Sequence, residues 1–340
     1  MIDIHGGNIA KLAVELGLKN IPEIEHDFSV NLNPLGPPPV LFELIQSHKI
    51  DWQNYPDTVC TKAVKNLAEA HKISPECLTV GNGATELFAV ILTAFNIKNA
   101  AYLSPCYSGY REVCEKTRTE FRSITNLNYI NSDALFIGYP NNPTGQLIDK
   151  NVLSTAIRKN SDRLFIIDES FMDFVMDSEI RTFIFDDIHR NLIVVKSLTK
   201  MFNIAGIRLG MAVSTKDNIS KINLFKLPWS VNAFAQKVAS ILYSDKDYVM
   251  NTKTEVKKMR ENMMAELSRI KNLTLIPSET NFLLVRAKDI DLQKQLLLKG
   301  IFIRSCENIE GLGKGYFRFA VKDKEANNVL FNTIKSITEK

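Results

Sequence analysis

The sequence has few cysteines and no long apolar segment, and both shortages narrow the classes of protein it can encode. It contains five cysteines in 340 residues, an odd number without a CxxC pair, so neither a disulfide framework nor a zinc site is indicated. Its apolar runs fall short of the ~20 residues that a membrane-spanning helix needs, and its N-terminus lacks a basic segment followed by an apolar one. We therefore expect a cytoplasmic protein with reduced thiols, no metal and no membrane association.

The sequence also lacks an excess of one charge. It has 42 lysines and arginines against 38 aspartates and glutamates, a formal net charge of +4, without a basic stripe suited to a phosphate backbone. Nucleic acid is therefore not expected as a partner. The composition, 45% hydrophobic and 24% charged, is that of a globular protein, and the length favours two domains.

Short apolar runs that end in turn residues alternate with helical patterns from about residue 78 onward. This rhythm predicts an α/β fold with a mostly parallel central sheet that is covered on both faces. Ligands of such folds bind where the strands end. The runs are ECLTV before Gly81, AAYL before Ser104, DALFIGY before Pro140, RLFIID before Glu169, NLIVV before Lys196 and RLGMAV before Ser214.

A smaller unit is predicted to follow the large one. A long helical pattern over about 231–270 opens it, and strands and a closing amphipathic helix follow. We expect an N-terminal arm and helix over 1–30 that packs on this unit, a large domain over 31–227 and a small α+β domain over 228–340. The apolar face of the N-terminal helix consists of Ile9, Leu12, Ala13 and Leu16.

Four polar loops follow the predicted strands, and each has an ordinary structural explanation as a turn, a buried acid or a solvated lysine. A glycine turn that enters a helix, however, also offers free backbone amides to a phosphate. A carboxylate at the end of a buried strand needs a partner. The loops are GNGATE at 81–86, YPNNPTG at 139–145, IIDES at 166–170 and SLTKMFNIAGIRLG at 197–210.

Together these loops supply the functional groups that pyridoxal phosphate requires. Lys200 can form an imine with the aldehyde of the cofactor, and Asp168 can keep its pyridine nitrogen protonated. The glycine turn, Ser197 and Arg208 can hold its phosphate. Because the combination is far more specific than any of its parts, it predicts pyridoxal phosphate as the cofactor and an active site at the strand ends.

The order GNGATE, NNPTG, DES, SLTK and IRLG resembles the class I/II aminotransferases, the fold type I family of pyridoxal-phosphate enzymes, over nearly the whole chain. The resemblance implies catalytic roles for Lys200 and Asp168 and stacking of Tyr107 on the cofactor ring. Tyr55, in NYPD, would reach the cofactor of a neighbouring subunit, which implies a homodimer with shared active sites. The implied cofactor-binding residues are Gly83, Ala84, Thr85, Tyr107, Asn142, Asp168, Ser197, Lys200, Arg208 and Tyr55.

One position departs from the family pattern. Most of these enzymes have a tyrosine two or three positions after the aspartate, whose hydroxyl touches the ring oxygen. This chain has Phe171 in DESFMDF, and phenylalanine cannot supply that hydrogen bond.

The two ends of the chain narrow the resemblance. IHGGN with DFSVNLNPLGPPP, and the late segment GIFIRSCENIEGL, are similar to the threonine-phosphate decarboxylases of cobalamin biosynthesis, whose nearest relatives are the histidinol-phosphate aminotransferases. The implied substrate is a small phosphorylated amino acid, with Arg318 on its α-carboxylate and Arg304 facing Arg318. The implied substrate-binding residues are His5, Gly6, Asn33, Asn142, Arg304 and Arg318.

Three functions stay open. The leading one is decarboxylation of L-threonine O-3-phosphate to (R)-1-amino-2-propanol phosphate. The second is transamination of histidinol phosphate or a related amino acid, and the third is a non-catalytic binding module, against which the intact Lys200, Asp168 and Arg208 argue. Serine phosphate also stays open as a substrate, because one methyl group is worth only ~1 to 3 kcal/mol.

Overall fold

The computed structural model describes residues 6–7, 9, 14, 17, 23–47, 53–127, 131–185, 188–288 and 291–338. Most of the predicted N-terminal helix, with Leu12, Ala13 and Leu16, lies outside these residues. The described strands are β1 (His26–Asp27), β2 (Leu78–Gly81), β3 (Asn99–Leu103), β4 (Glu120–Ile124), β5 (Ala134–Gly138), β6 (Leu164–Asp168), β7 (Leu192–Ser197), β8 (Gly210–Val213), β9 (Leu273–Ile276), β10 (Phe282–Ala287), β11 (Ile301–Phe302), β12 (Arg304–Ser305) and β13 (Tyr316–Ala320).

The helices of the described residues surround these strands. Short 3-10 turns occur at Pro75–Cys77, Met172–Phe174 and Ala205–Ile207. The α-helices are Pro39–Gln46, Thr61–Ala70, Ala84–Ala94, Gly109–Thr117, Lys150–Lys159, Ser178–Arg181, Lys216–Phe225, Ala233–Ala239, Lys246–Ser268, Leu292–Leu297 and Lys324–Thr338.

The large sheet has seven strands in the order β2-β8-β7-β6-β5-β3-β4. Strand β8 is antiparallel to both of its neighbours, whereas β7, β6, β5, β3 and β4 run parallel. The predicted mostly parallel α/β sheet is therefore confirmed. Residues of one strand alternate between two core clusters, with Phe165 and Ile167 in one and Ile166 in the other. Burial on both faces explains why these strands read as continuous apolar runs.

The smaller sheet has four antiparallel strands in the order β12-β13-β10-β9. The single helix expected over 231–270 is wrong, because the chain forms two helices, Ala233–Ala239 and Lys246–Ser268. The break lies where Asp245 caps the second helix by accepting a 2.8 Å hydrogen bond from the backbone N–H of Tyr248. An aspartate in that position starts a new helix rather than continuing the old one.

The end of the N-terminal arm packs on this smaller sheet. Strand β1 pairs in parallel with β11, and Phe28 shares a core cluster with residues of β10 and β13. The backbone of Phe28 is bonded on both sides, donating to Phe302 at 2.7 Å and accepting from Ala320 at 2.9 Å. The segment that follows Phe28 therefore enters the space between the two sheets. The domain boundaries expected at 30/31 and 227/228 stay a prediction.

Two further features bear on the sequence predictions. All five cysteines are free thiols, four of them buried and Cys77 partly so. Within the described ranges, no helix is both long and apolar enough to cross a membrane.

Candidate active site

A cavity of about 280 Å³ opens at the carboxyl ends of β5, β6 and β7, with walls from both sheets and from the arm. Parallel strands deliver their following loops to one edge of a sheet, which is why residues far apart in sequence meet here. The predicted site residues that line the cavity are Gly6, Ala84, Thr85, Tyr107, Asn142, Asp168, Ser197, Lys200, Arg208, Arg304 and Arg318.

Asp168 is the last residue of β6 and is almost fully buried. Its Oδ2 accepts a 2.7 Å hydrogen bond from the phenol of Tyr110, and its Oδ1 accepts from the backbone and hydroxyl of Ser170. Burial raises the pKa of Asp168, while the hydrogen bonds from Ser170 and Tyr110 and the charge of Lys200 oppose that rise. The carboxylate is thus held in place at the cavity wall, with a cation nearby.

A chain of hydrogen bonds links this aspartate to the loop that carries the lysine. The backbone N–H of Ser197 donates at 3.1 Å to the hydroxyl of Ser170, which donates in turn to Asp168. The hydroxyls of Ser197 and Thr199 are 2.8 Å apart, and Lys200 Nζ donates to Thr199 Oγ1 at 3.2 Å. The acid and the amine therefore sit on one continuous polar network at the ends of β6 and β7.

Lys200 carries an amine whose charge is disfavoured by its surroundings. Burial and, after it, the positive charges of Arg208 and Arg318 together lower its pKa to about 8, while Asp168 opposes them. A lysine with a pKa near 8 releases its proton far more readily than an ordinary lysine. The amine is therefore suited both to attack a carbonyl group and to exchange a proton near neutral pH.

The glycine turn and Arg208 form a cradle for an anion. Gly83 has a φ of +83° and immediately precedes the helix Ala84–Ala94, whose first residues Ala84 and Thr85 line the cavity. A Cβ atom on Gly83 would lie 2.7 Å from Nη2 of Arg208, so only glycine lets the guanidinium lie against the turn. Gly210 likewise allows the backbone N–H of Ala84 to approach closely, since a Cβ there would be 2.6 Å from it. A helix N-terminus beside an arginine is a phosphate site.

Two arginines face each other on the opposite wall. Arg304 of β12 and Arg318 of β13 are direct cross-strand partners, and both line the cavity. Like charges placed opposite each other in a sheet repel, so the pair favours an anionic ligand between or beside the two side chains. The facing arrangement expected from the sequence is therefore present in the structure.

Arg318 also links three parts of the site. Its Nη1 donates to Asn142 Oδ1 at 2.7 Å, and its Nη2 donates to the backbone oxygen of Ser29 at 2.8 Å. Its guanidinium lies over the ring of Phe282, 5.6 Å from the ring centre, in a cation–π contact. Arg318 is thereby tied to the loop after β5 and to the arm.

Gly6 and Gly7 pack against Ser29, the arm residue whose backbone oxygen accepts the hydrogen bond from Arg318. A Cβ atom on Gly6 would lie 2.3 Å from the backbone oxygen of Ser29, and the N–H of Gly7 donates to Ser29 Oγ at 2.8 Å. Gly6 can therefore line the cavity as predicted. The predicted ligand His5 lies outside the described residues.

Asn33, which was predicted to bind substrate, is not among the residues that line the cavity. Its buried amide donates to Met201 O at 2.8 Å, Tyr248 Oη at 2.7 Å and Thr252 Oγ1 at 3.2 Å. The side chain is engaged in joining the arm to the helix Lys246–Ser268. Its role in substrate binding stays a prediction.

Asn31 lies at the wall instead, and the sequence analysis missed it. Its side chain is buried and lines the cavity, and its Oδ1 has no hydrogen-bond partner among the described residues. A buried amide oxygen without a partner is costly, so it favours a ligand that can donate a hydrogen bond there. The sequence NLN at 31–33 contains both asparagines, but nothing in it indicates which of the two side chains lines the cavity.

Three further residues singled out in the sequence are Tyr107, Phe171 and Tyr55. Tyr107 lines the cavity, and Phe171 lines it where the family pattern has a tyrosine. Phe171 packs edge to face on Phe282 at 4.9 Å, so this wall is apolar. Tyr55 lies away from the cavity, 81% exposed, with its ring 4.7 Å from that of Trp229. Its predicted contact would have to be made with another subunit.

The fold and this arrangement of groups are those of a pyridoxal-phosphate enzyme. A sequence model of the family "aminotransferase class I and II" matches residues 24–334. The chain therefore belongs to that family, and pyridoxal phosphate is its cofactor.

Individual relatives carry more specific names. The chain is 34% identical over 98% of its length to a bifunctional adenosylcobalamin biosynthesis protein from Leptospira interrogans, of which it spans only 41%. It is 30% identical to the threonine-phosphate decarboxylase of Salmonella typhimurium over 98% of this chain and 96% of that one. The structure of a histidinol-phosphate aminotransferase from Clostridium acetobutylicum matches it with a TM-score of 0.85 and 27% identity, over 92% of this chain and 99% of that one.

The residues present fit the cofactor. The donor set combines a lysine whose pKa is lowered, a buried aspartate held by hydrogen bonds and a helix N-terminus beside an arginine. Lys200 would hold the aldehyde carbon, Asp168 the pyridine nitrogen, and the cradle of Gly83, Ala84 and Arg208 the phosphate.

Proposed function

We propose that this protein decarboxylates L-threonine O-3-phosphate to (R)-1-amino-2-propanol phosphate and carbon dioxide, as a step in cobamide synthesis. The observation that carries the proposal is the facing pair Arg304 and Arg318 at the cavity wall opposite Lys200. A substrate with both a phosphate and a carboxylate supplies one anion for each arginine. The similarity to proteins named for cobalamin biosynthesis and for threonine-phosphate decarboxylation supports the same reading.

The anchoring of the two anions accounts for the choice of reaction. Pyridoxal phosphate, when bound, supplies a ring that accepts the electron pair of whichever bond at the α-carbon stands perpendicular to it. Arg304, with Gly6 and His5, would draw the substrate phosphate to one side of the cavity. Arg318 would then hold the carboxylate so that the bond to it, rather than the bond to hydrogen, takes the perpendicular position. Binding energy from the remote phosphate stabilises this orientation.

Lys200 supplies the proton that the reaction needs. In this reaction a proton must take the place of the carboxylate at the α-carbon. The Lys200 amine, with its pKa lowered to about 8, holds a proton at neutral pH and gives it up more easily than an ordinary lysine. Atoms and charge thus balance without an oxidant or a keto acid.

We also propose that the enzyme acts as a homodimer. Tyr55 is largely exposed and stacks on Trp229, which itself is 48% exposed. Leu227 and Leu224 nearby in the chain are also highly exposed, at 74% and 83%. Exposed apolar side chains near one another favour a protein interface, and a second copy would cover them and bring Tyr55 to the neighbouring cofactor.

The alternative function is transamination of histidinol phosphate. It is favoured by the likeness to the histidinol-phosphate aminotransferase of Clostridium acetobutylicum and needs the same cofactor groups. Its amino donor carries a phosphate but no carboxylate, so one arginine would lack an anion while histidinol phosphate is bound, and would meet a carboxylate only when 2-oxoglutarate takes its place. A non-catalytic module is disfavoured because Lys200, Asp168 and Arg208 all line one cavity.

The deciding experiment is the product formed from L-threonine phosphate in the absence of any keto acid. We expect carbon dioxide and 1-amino-2-propanol phosphate. A parallel assay supplies histidinol phosphate together with 2-oxoglutarate. Robust transamination there, with no carbon dioxide from threonine phosphate, would replace the proposed function by the alternative.

A further inference from the structure

We propose that Glu310 is a positioning residue that fixes the substrate-binding wall of the cavity against the large sheet. The proposal rests on the proposed function, because it concerns the groups that would hold the phosphorylated substrate. Glu310 lies in the loop 306–315, which joins β12 to β13 and so connects Arg304 with Arg318. Its neighbour Ile309 is buried and lines the cavity.

Side chains from three elements of the large sheet and its helices bind Glu310. Tyr102 of β3 donates its hydroxyl to Oε2, and Ser123 of β4 donates its hydroxyl to Oε1. The guanidinium of Arg111, in the helix Gly109–Thr117, lies 3.4 Å from Oε2. Ser104 donates to the backbone oxygen of Glu310 at 2.6 Å. Both the side chain and the backbone of this residue are therefore attached to the far side of the cavity.

The protonation states on the two sides of this contact are complementary. Hydrogen bonds from Ser123 and Tyr102 lower the pKa of Glu310, so it is a carboxylate at neutral pH. Burial and the bond to Glu310 raise the pKa of Tyr102 to about 12, so it stays a donor. Hydrogen bonds to an ionised acceptor are about twice as strong as neutral ones.

At Gly311 the loop 306–315 lies very close to Ser104. The φ of this glycine is +90°, and a Cβ atom there would lie 2.6 Å from Ser104 Oγ. A larger residue would push the loop away from Ser104. The contact therefore requires an acceptor at position 310 and the absence of a side chain at position 311.

The contact joins the two walls between which a substrate would lie. Ser104 begins the segment that leads to Tyr107 on the cofactor side, while Ile309 and Arg304 belong to the substrate side. Glu310 thereby sets the spacing between these walls. Because its side chain is 48% exposed, its contribution to overall stability is small, and its loss is expected to affect substrate binding rather than folding.

The test compares Glu310→Gln with Glu76→Gln, a matched change in an exposed ion pair with Lys216. Glutamine keeps the size of glutamate, but its amide nitrogen cannot accept a hydrogen bond. For Glu310→Gln we expect kcat/KM for L-threonine phosphate to fall at least tenfold, mainly through KM. Cofactor affinity and Tm should match the parent, and Glu76→Gln should match it in every measurement.

A double-mutant cycle with Tyr102→Phe separates positioning from a general structural effect. Tyr102→Phe should raise KM in the parent and have a clearly smaller effect in Glu310→Gln, because Tyr102 acts through its hydrogen bond to residue 310. Additive losses, an unchanged KM in Glu310→Gln, or a parallel fall in cofactor affinity and Tm would each overturn the proposal.

The assays also separate this proposal from the proposed function. All variants are measured with L-threonine phosphate alone and with histidinol phosphate plus 2-oxoglutarate. If the parent acts only on histidinol phosphate, the decarboxylase function fails, and Glu310 is judged on KM for that substrate. If it acts on neither, the dissociation constant of L-threonine phosphate, followed by cofactor absorbance, replaces KM. A difference below tenfold in the quantity measured overturns the role of Glu310.

Discussion

Tyr110 and Asp168, 58 residues apart in the chain, are joined by a buried 2.7 Å hydrogen bond in which the phenol donates to the carboxylate. Burial raises the pKa of Tyr110 well above its usual value, so it is a permanent donor. Ser170 supplies the donors on the other oxygen. The position and charge of the acid that would face the cofactor nitrogen thus depend on two side chains that the sequence did not indicate.

Tyr110→Phe is expected to weaken the binding of pyridoxal phosphate about 10- to 100-fold. A hydrogen bond to a charged group is worth ~1.5 to 3 kcal/mol, and its loss also raises the pKa of Asp168. The dissociation constant is measured by titration of the apoenzyme. Tyr243→Phe is the matched control, because it removes a buried phenol from Asp173 at 2.8 Å, away from the cavity. Equal effects of the two changes would contradict the role of Tyr110.

The attachment of pyridoxal phosphate to the apoenzyme is expected to accelerate as pH rises to about 8 and to level off above it. Lys200 attacks only as the neutral amine, and its pKa is lowered to about 8. Lys200→Ala should abolish both attachment and turnover while the protein stays folded, and the exposed Lys216→Ala should change neither. The rate is followed by stopped-flow absorbance. A rate that still climbs tenfold per pH unit above pH 9 would show an ordinary lysine pKa.

Arg304→Ala is expected to lower kcat/KM for L-threonine phosphate by two or more orders of magnitude, which corresponds to ~3 kcal/mol or more. The absorbance spectrum of the bound cofactor should be unchanged, because the cofactor cradle lies on the other wall. Unphosphorylated threonine is the control substrate, since its turnover should be insensitive to the change. A similar loss with both substrates would mean that Arg304 does not act through the phosphate.

Tyr55→Phe is expected to weaken cofactor retention, by an amount that matches the ~1.5 to 3 kcal/mol of one hydrogen bond to a charged group. The loss should appear in the proposed dimer, where Tyr55 would reach the cofactor of the partner subunit. It is measured by dialysis of the holoenzyme at several protein concentrations, beside sedimentation to give the oligomeric state. Retention equal to that of the parent at every concentration would exclude the contact.

Glu169→Gln is expected to flatten the fall in stability between pH 4.5 and 7. Burial raises the pKa of Glu169 from 4.5 to about 7, so in this window the folded state binds more protons than the unfolded one. Stability therefore declines as pH rises, by on the order of 3 kcal/mol in total. Urea denaturation at several pH values gives the free energy of unfolding. A difference between variant and parent that is constant with pH would contradict this.

The residues that follow buried strands were predictable, and two partly buried edge strands were not. Strands β5, β6 and β7 read as apolar runs, so Asn142, Asp168 and Lys200 could be assigned to one edge of a sheet. Strands β4 and β9 lie at sheet edges and are only partly buried. Because polar residues interrupt their apolar pattern, the sequence analysis did not predict either strand.

The choice between Asn31 and Asn33 could not be made from the sequence. The two are separated by a tight turn, in which Leu32 N donates to Val30 O at 3.1 Å, so their side chains do not follow the alternation of a strand. Asn33 is drawn to Met201 and the helix beyond it. Contacts with residues more than 160 positions away decide which of the two side chains reaches the cavity. A local sequence pattern contains no information about such contacts.

The bond from Arg318 to the Ser29 backbone spans 289 residues of the chain. A protein leaves the ribosome from its N-terminus, and its domains generally fold in that order. Lys200 and Asp168 are therefore synthesised before Arg318, and the arm can form its bond to Arg318 only after β13 has been made. A nascent chain that ends before Tyr316 would therefore contain the amine and the acid but not Arg318, the arginine proposed to hold the substrate carboxylate. The residues proposed to bind the cofactor are thus made before the residue proposed to recognise the substrate.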